Sequence, residues 1–104
     1  MAVFYEVVCR FDDEAHVAPF VAWLEGRHVG DVVSAGAKRG EILLPLGEPR
    51  EVRVLYTYPS DEGFSAYEAG PASSLRAESL AFLRALGAEG KVTFTRSRGA
   101  LLVP

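Results

Sequence analysis

The chain has 104 residues, 49% of them hydrophobic, and a formal net charge of −3. That length suits one domain, residues 1–104, with a core that needs no cross-links. The charge, spread in both signs, excludes the basic stripe of a nucleic-acid binder, and no apolar run reaches the roughly 20 residues that cross a bilayer. The start, Met1-Ala2-Val3-Phe4-Tyr5-Glu6, lacks the basic segment and apolar block of a signal peptide, so the expected location is cytoplasmic. The one cysteine, Cys9, has no partner for an internal disulfide and reads as a small buried hydrophobe. Asparagine and glutamine are absent, and nine arginines stand against two lysines. Loss of heat-labile amides is a mark of thermophilic proteins, and a GC-rich genome produces the same bias.

Val3 to Phe11 alternates and is rich in branched and aromatic residues, which predicts a strand. Asp12 and Asp13 offer an N-cap, with Glu14 placing negative charge in the first turn. Val17, Phe20, Val21 and Leu24 follow at helical spacing, with Pro19 tolerated near the helix start. Gly26 and Gly30 bracket the predicted helix end, leaving His28 and Asp31 in the turn that follows. Ala37 to Leu46 reads as a second strand, Gly47-Glu48-Pro49-Arg50 as a turn, and Glu51 to Tyr58 as a third strand in a hairpin with the second. Ser60 caps a short helical turn carrying Phe64 and Tyr67. Gly70-Pro71 breaks it and opens a second helix, whose stripe is Ala72, Leu75, Ser79, Phe82, Leu83 and Leu86, closed by Gly87. Lys91 to Val103 is the last strand, with a bulge predicted near Ser97-Arg98-Gly99.

Strand, helix, strand, strand, helix, strand is the order of an α+β, ferredoxin-like βαββαβ domain, a four-stranded antiparallel sheet with two helices on one face. The first and third strands are then central. Tyr5, Val7, Cys9 and Phe11, beside Val52, Val54 and Tyr56, fit the face under the helices. Phe4, Glu6, Val8 and Arg10, beside Glu51, Arg53, Leu55 and Thr57, fall on the other. That second face is half apolar and calls for a cover. A second copy on a two-fold axis is the simplest one. The result is a barrel-like homodimer with Glu6, Arg10, Arg53 and Thr57 near its inside and Glu6 paired to Arg53 or Arg10, because unpaired buried charge is costly.

The candidate site is the Trp23–Gly36 segment. His28 continues the helical line of Leu24 and titrates near neutrality, which suits acid–base work, and Asp31 is placed to orient its ring. Trp23 can wall a pocket, and Tyr5, Tyr58 and Tyr67 can supply hydroxyls. Arg76 can bind a carboxylate or phosphate, or pair with Glu68 or Glu78 on the surface. A histidine at a helix C-terminus also caps free carbonyls, which gives His28 a purely structural alternative. His16 reads as a solvated residue. The two histidines share no metal-ligand spacing with each other or with a cysteine, so no metal site is expected. Gly36-x-x-x-Gly40 lacks the Lys-Ser or Lys-Thr of a phosphate loop, G-x-S-x-G is absent, and no motif implies a cofactor.

Tyr5-Glu6-Val7, the Trp23-x4-His28-hydrophobic-x-Asp31…Gly36 segment, Tyr58, and Tyr67…Pro71…Leu75-Arg76-Ala77-Glu78 together resemble a family of short bacterial proteins known as a domain of unknown function, within the dimeric α+β barrel superfamily. In that family the position of Gly30 is typically proline and an aromatic often follows near Ala37, departures that here leave the turn freer. The resemblance implies the dimeric barrel fold and no particular reaction, since the superfamily includes cofactor-independent monooxygenases, haem-degrading enzymes, lactone isomerases and members without known activity. Two function classes follow. One is a homodimer that binds a small metabolite, acting as a cofactor-independent enzyme with His28 as acid or base. The other is a non-enzymatic homodimer that binds a ligand or a protein. Haem binding would need His28 to face an apolar pocket wide enough for a porphyrin.

Overall fold

The computed structural model describes all 104 residues. The alternating segment Val3–Phe11 forms strand β1 and pairs antiparallel on both sides, with β3 (Glu51–Tyr58) and β4 (Val92–Ala100). Strand β2 (Arg39–Leu43) completes the sheet at the outer edge of β3, giving the order β2-β3-β1-β4. This is the ferredoxin-like arrangement, with β1 and β3 central as predicted. The β1–β4 register runs unbroken from Val3↔Ala100 to Phe11↔Val92, so the bulge predicted near Ser97-Arg98-Gly99 is absent. Both edge strands are shorter than predicted. Pro45 has no N–H to offer a ladder, and Leu44 and Leu46 lie exposed beyond β2. β4 ends where β1 runs out of residues to pair with, leaving one bond from the Leu101 amide to the Ala2 carbonyl and an exposed Leu102 and Val103.

The first helical segment is longer than its sequence suggests. Asp13 caps it by accepting from the Ala15 amide at 2.9 Å. A 3-10 turn (Glu14–His16), α1 (Val17–Trp23), a π-turn (Leu24–His28) and α2 (Val29–Ser34) then follow without interruption. Gly26 and Gly30, predicted above as the helix end, lie inside it with ordinary negative φ, and His28 and Asp31 are helical rather than in a following turn. The real stop is Gly36, whose φ of 137° only glycine adopts readily. The freer turn expected at Gly30 therefore does not exist. His16, expected to be solvated, is half-buried, with Nδ1 enclosed and unpaired.

The π-turn sets which side chains face the sheet. An α-helix rotates about 100° per residue, so residues four apart drift by about 40°, and a set spread over twelve residues drifts by about 120°. One extra residue in a π-turn takes back about one residue's rotation. Phe20, Leu24, His28 and Val32 consequently stay on one line, and Phe20, Leu24 and Val32 are buried against the sheet. The turn is marked by the Val29 amide reaching the Leu24 carbonyl.

After β3, Ser60 caps α3 (Asp61–Ala69) by accepting from the Gly63 amide at 3.0 Å. Helix α4 (Ala72–Leu86) follows Pro71 and ends at the left-handed Gly87. The core lies between the helices and one face of the sheet, around Cys9, Val52, Val54, Tyr56 and Tyr58. Gly40 of β2 sits beneath Val29 and Tyr56, where a Cβ would come within 2.6 Å of the Val29 Cγ1. No helix is long and apolar enough to cross a membrane.

These placements separate three glycines. Space is open around a Cβ at Gly26 and Gly30, so Gly26→Ala and Gly30→Ala should each stabilise the fold by about 0.5–1 kcal/mol. Gly40→Ala should destabilise it by about 1–3 kcal/mol through overpacking. Urea denaturation of the three variants checks both signs. A loss of stability in the first two would mean that the helix ends at those glycines after all.

Candidate functional site

A cavity of about 270 Å³ opens between the helices and the sheet. Its floor is Tyr5, Val7 and Cys9 from β1, Val54 and Tyr56 from β3, and Phe94 and Arg96 from β4. Its roof is Phe20, Leu24, His28 and Val32 from the first helical segment, with Tyr67 from α3 and Arg76, Ser79 and Leu80 from α4. The alternation of β1 and β3 supplies the floor, and the π-turn supplies the roof line. Leu80 of α4 and Arg96 of β4 are its exposed lining residues.

His28 is the polar centre of the roof. Its ring stacks on Trp23 at 4.7 Å between centroids, and Trp23 stacks in turn on Phe82 at 4.7 Å. Residues five apart meet in this way because the turn between them is a π-turn. Trp23, predicted as a pocket wall, thus lies behind His28 and does not line the cavity. His28 Nε2 is 3.4 Å from the Ser79 hydroxyl, which also lies 3.3 Å from the Leu75 carbonyl, while His28 Nδ1 is enclosed without a partner. The hydroxyl has one proton and can donate to the Leu75 carbonyl or to Nε2, but not to both. Asp31 does not orient the ring. It turns to Arg27 at 3.6 Å, one helical turn away, and contributes only its charge. Burial holds the His28 pKa below its usual value, and the carboxylates of Asp31 and Glu78 offset part of that effect. The ring is therefore a neutral base at neutral pH.

The tyrosines divide. Tyr5 and Tyr67 line the cavity, whereas Tyr58 packs behind it against Phe64 and Tyr67 with its hydroxyl enclosed and unpaired. Tyr56, not singled out in the sequence, is 3% exposed, lines the cavity and has an enclosed hydroxyl with no protein partner. Burial drives its pKa far above the usual phenol value and pushes that of Tyr67 up to about 12. Burial also pushes the Cys9 thiol up to about 12, against a smaller lowering by Arg96, so Cys9 is no thiolate nucleophile. Arg76 makes the pair with Glu68 that was its alternative role. Its Nη2 donates to Glu68 at 2.6 Å and to the Tyr5 hydroxyl at 3.2 Å, and it lines the cavity. The Tyr5 hydroxyl, accepting from Arg76, keeps its own proton to give. Within this wall His28 is a neutral acceptor, surrounded by tyrosine hydroxyls and the two fixed cations Arg76 and Arg96.

Glu6, Arg10, Arg53 and Thr57 lie on the opposite, uncovered face, as predicted. Their pairing differs. Glu51, 6% exposed, is the hub, accepting from Arg10 at 2.9 Å and from Arg53 at 2.7 Å, while Glu6 stands 3.9 Å from Arg53. Those two charge-assisted bonds hold the Glu51 carboxyl below its usual pKa.

Sequence reasoning missed Ser79, Tyr56 and Arg96 as cavity residues. Ser79 was legible only as part of an apolar stripe. Arg96 had a usable signal: Phe94, Arg96 and Arg98 alternate with Thr93, Thr95 and Ser97, which puts both arginines on one face. No group of three or more His, Cys, Asp or Glu side chains is placed to hold a metal ion.

The chain superposes on a dimeric ferredoxin-like protein from an uncultured marine organism with a TM-score of 0.75 at 18% identity, covering 99% of this chain and 97% of that one. The fold is ferredoxin-like. A dimeric ferredoxin-like protein of unknown function from Thermobifida fusca gives 0.63 at 17% identity, covering 97% and 92%. SnoaB, a cofactor-independent oxygenase from Streptomyces nogalater, gives 0.67 at 14% identity, covering 99% and 95%. No family model matches the chain, and no curated protein matches it by sequence.

The site carries a pH signature. The unfolded imidazole titrates near 6.5, and the folded one resists protonation. The unfolded state binds the proton first as pH falls, so stability is full above about 6.5 and declines below it. Between about pH 7.5 and about pH 5.5, the Tm of the wild type should fall further than that of His28→Gln. Equal falls in a calorimetric scan would show that His28 titrates as it does in water.

Proposed function

We propose that the protein is a homodimer that binds a small, largely apolar molecule in the cavity of each subunit, and that His28 takes a proton from it. The observation that carries this reading is the neutral, half-buried imidazole in the roof of a mostly apolar cavity, with Tyr56, whose enclosed hydroxyl has no protein partner, in its floor. A volume of about 270 Å³ lies just below the usual range of ligand pockets, about 300–1,000 Å³, and suits a molecule of one or two rings. Where the bound molecule carries an acidic hydroxyl or an activated C–H, the imidazole accepts the proton. The anion left behind is held by the Tyr5, Tyr56 and Tyr67 hydroxyls and by Arg76. The likeness in fold to a protein described as a cofactor-independent oxygenase is compatible with this reading.

The dimer rests on the other face of the sheet. Phe4, Val8 and Leu55 are half-buried there around the Glu51 hub, and solved neighbours of the same fold are dimeric by description. A second copy on this face would enclose Glu6, Arg53 and Thr57, with Arg10 at its margin. The wild type should sediment at twice the chain mass, and Val8→Glu, which adds an unpaired charge to that face, should sediment as the monomer. A monomeric wild type at working concentration would remove the dimer and leave the cavity reading intact.

4-Nitrophenol, whose phenolate absorbs in the visible, tests the cavity and the base together. Buffered just below its own pKa, it should show the phenolate band on mixing with the wild type, because Arg76 and the tyrosine hydroxyls stabilise the anion enough to offset the weakened basicity of the buried imidazole. His28→Gln should bind it without the band, and Val54→Phe, which fills the cavity, should not bind it. Binding to the wild type with no band favours the second reading, a ligand-binding protein without proton transfer. No binding at all refutes the cavity as a site.

A further inference from the structure

We infer that the molecule this cavity takes is amphipathic and acidic, with an apolar body inside and a carboxylate or phosphate group received at the mouth by Arg96 and Arg98 of β4. The inference rests on the cavity reading above and adds the charge of the ligand. The β1–β4 register places Arg96 beside Val7 and Arg98 beside Tyr5, so both arginines stand on the helix-covered face of the sheet, where alternation normally puts apolar residues. Both are nevertheless exposed, because no helix covers that half of β4. A shallow depression continues outward from the cavity, sharing Tyr5, Arg76 and Arg96 with it and adding Glu68 and Arg98.

The pairing pattern makes this rim unusual in the molecule. Arg10, Arg27, Arg39, Arg53, Arg76 and Arg84 each have a carboxylate partner and Arg50 donates to the Asp12 carbonyl, whereas Arg96 and Arg98 have no hydrogen-bonding or ion-pair partner. Each instead lies over an aromatic ring, Arg96 at 5.5 Å from the Phe94 centroid and Arg98 at 5.3 Å from that of Phe64. A guanidinium seated on a ring is partly ordered and keeps its donor fork free, as planar anion recognition requires. The rim carries three arginines and a single carboxylate, Glu68, which is spent on Arg76. This local excess of positive charge occurs in a chain whose net charge is −3. The charge of Arg96 is also felt inside the cavity, at Cys9 and Tyr67.

Three probes that share a naphthalene body separate the ideas: 1-naphthoate, 1-naphthyl phosphate and the neutral 1-naphthamide, titrated calorimetrically into the wild type and into the double variant Arg96→Gln/Arg98→Gln. At least one acid should bind the wild type about tenfold more tightly than the amide, with the margin shrinking as salt is added. Whichever acid binds better names the group. The double variant should lose that margin while still binding the amide, and Arg96→Lys/Arg98→Lys should recover part of it. Equal binding of acids and amide to the wild type, or a margin that survives in the double variant, overturns the assignment while the cavity stands. Failure of all three probes to bind overturns both.

Discussion

The site depends on one turn of backbone, the π-turn over Leu24–His28. Without it, a helix long enough to carry Phe20 and Val32 would rotate its later residues away from the sheet. Leu24 and His28 could not then share a line with both. With it, the helix buries an apolar stripe over the whole first crossover and directs one imidazole inward in the middle of that stripe. The same extra residue brings Trp23 and His28 into register, so the ring that faces the cavity is clamped from behind by an aromatic column reaching to α4. π-turns are rare and often mark functional positions. Here the physical reason is visible: the turn reconciles core packing with the aim of a polar side chain.

The strands were legible because alternation is a strong local signal, and the pairing β2-β3-β1-β4 follows from it together with the order of the helices. The helix end was not. A glycine that stops a helix and a glycine tolerated within one differ in φ, which sequence does not display. Gly26 and Gly30 therefore read as stops, while Gly36 had the left-handed backbone. The π-turn has no composition of its own and could not be read. Trp23 followed from the same gap, since regular helical spacing does not stack residues five apart. Asp31 was read as an orienter from its spacing to His28, but in a helix the residue four positions back, Arg27, is its nearer neighbour.

Burial determines the chemistry of the cavity wall more than residue identity does. Tyrosines and a cysteine suggest nucleophiles or donors of varied strength, yet desolvation raises the pKa of Tyr56, Tyr67 and Cys9 alike and keeps all three protonated. The same desolvation acts on His28 in the opposite chemical sense, because its charged form is the protonated one. One apolar environment therefore produces a wall of neutral donors around a single neutral acceptor. That division of roles follows from desolvation alone, which disfavours whichever form of each group carries the charge.

The sheet serves two faces with the same residues in alternation. On β1, Tyr5, Val7 and Cys9 form the cavity floor, while Phe4, Glu6, Val8 and Arg10 point to the uncovered side. A side chain on one face is a single peptide unit from a side chain on the other, and β3 repeats the arrangement with Val54 and Tyr56 against Arg53 and Leu55. Whatever seats on the open face therefore bears on the backbone that carries the cavity floor. The Glu51 hub adds rigidity at the same place, tying Arg10 of β1 to Arg53 of β3 across the strand boundary. β4 has no such tie and no helix above its second half. The floor strands are thus tied together where they meet the open face, while the arginines of β4 stand exposed at the other end of the sheet.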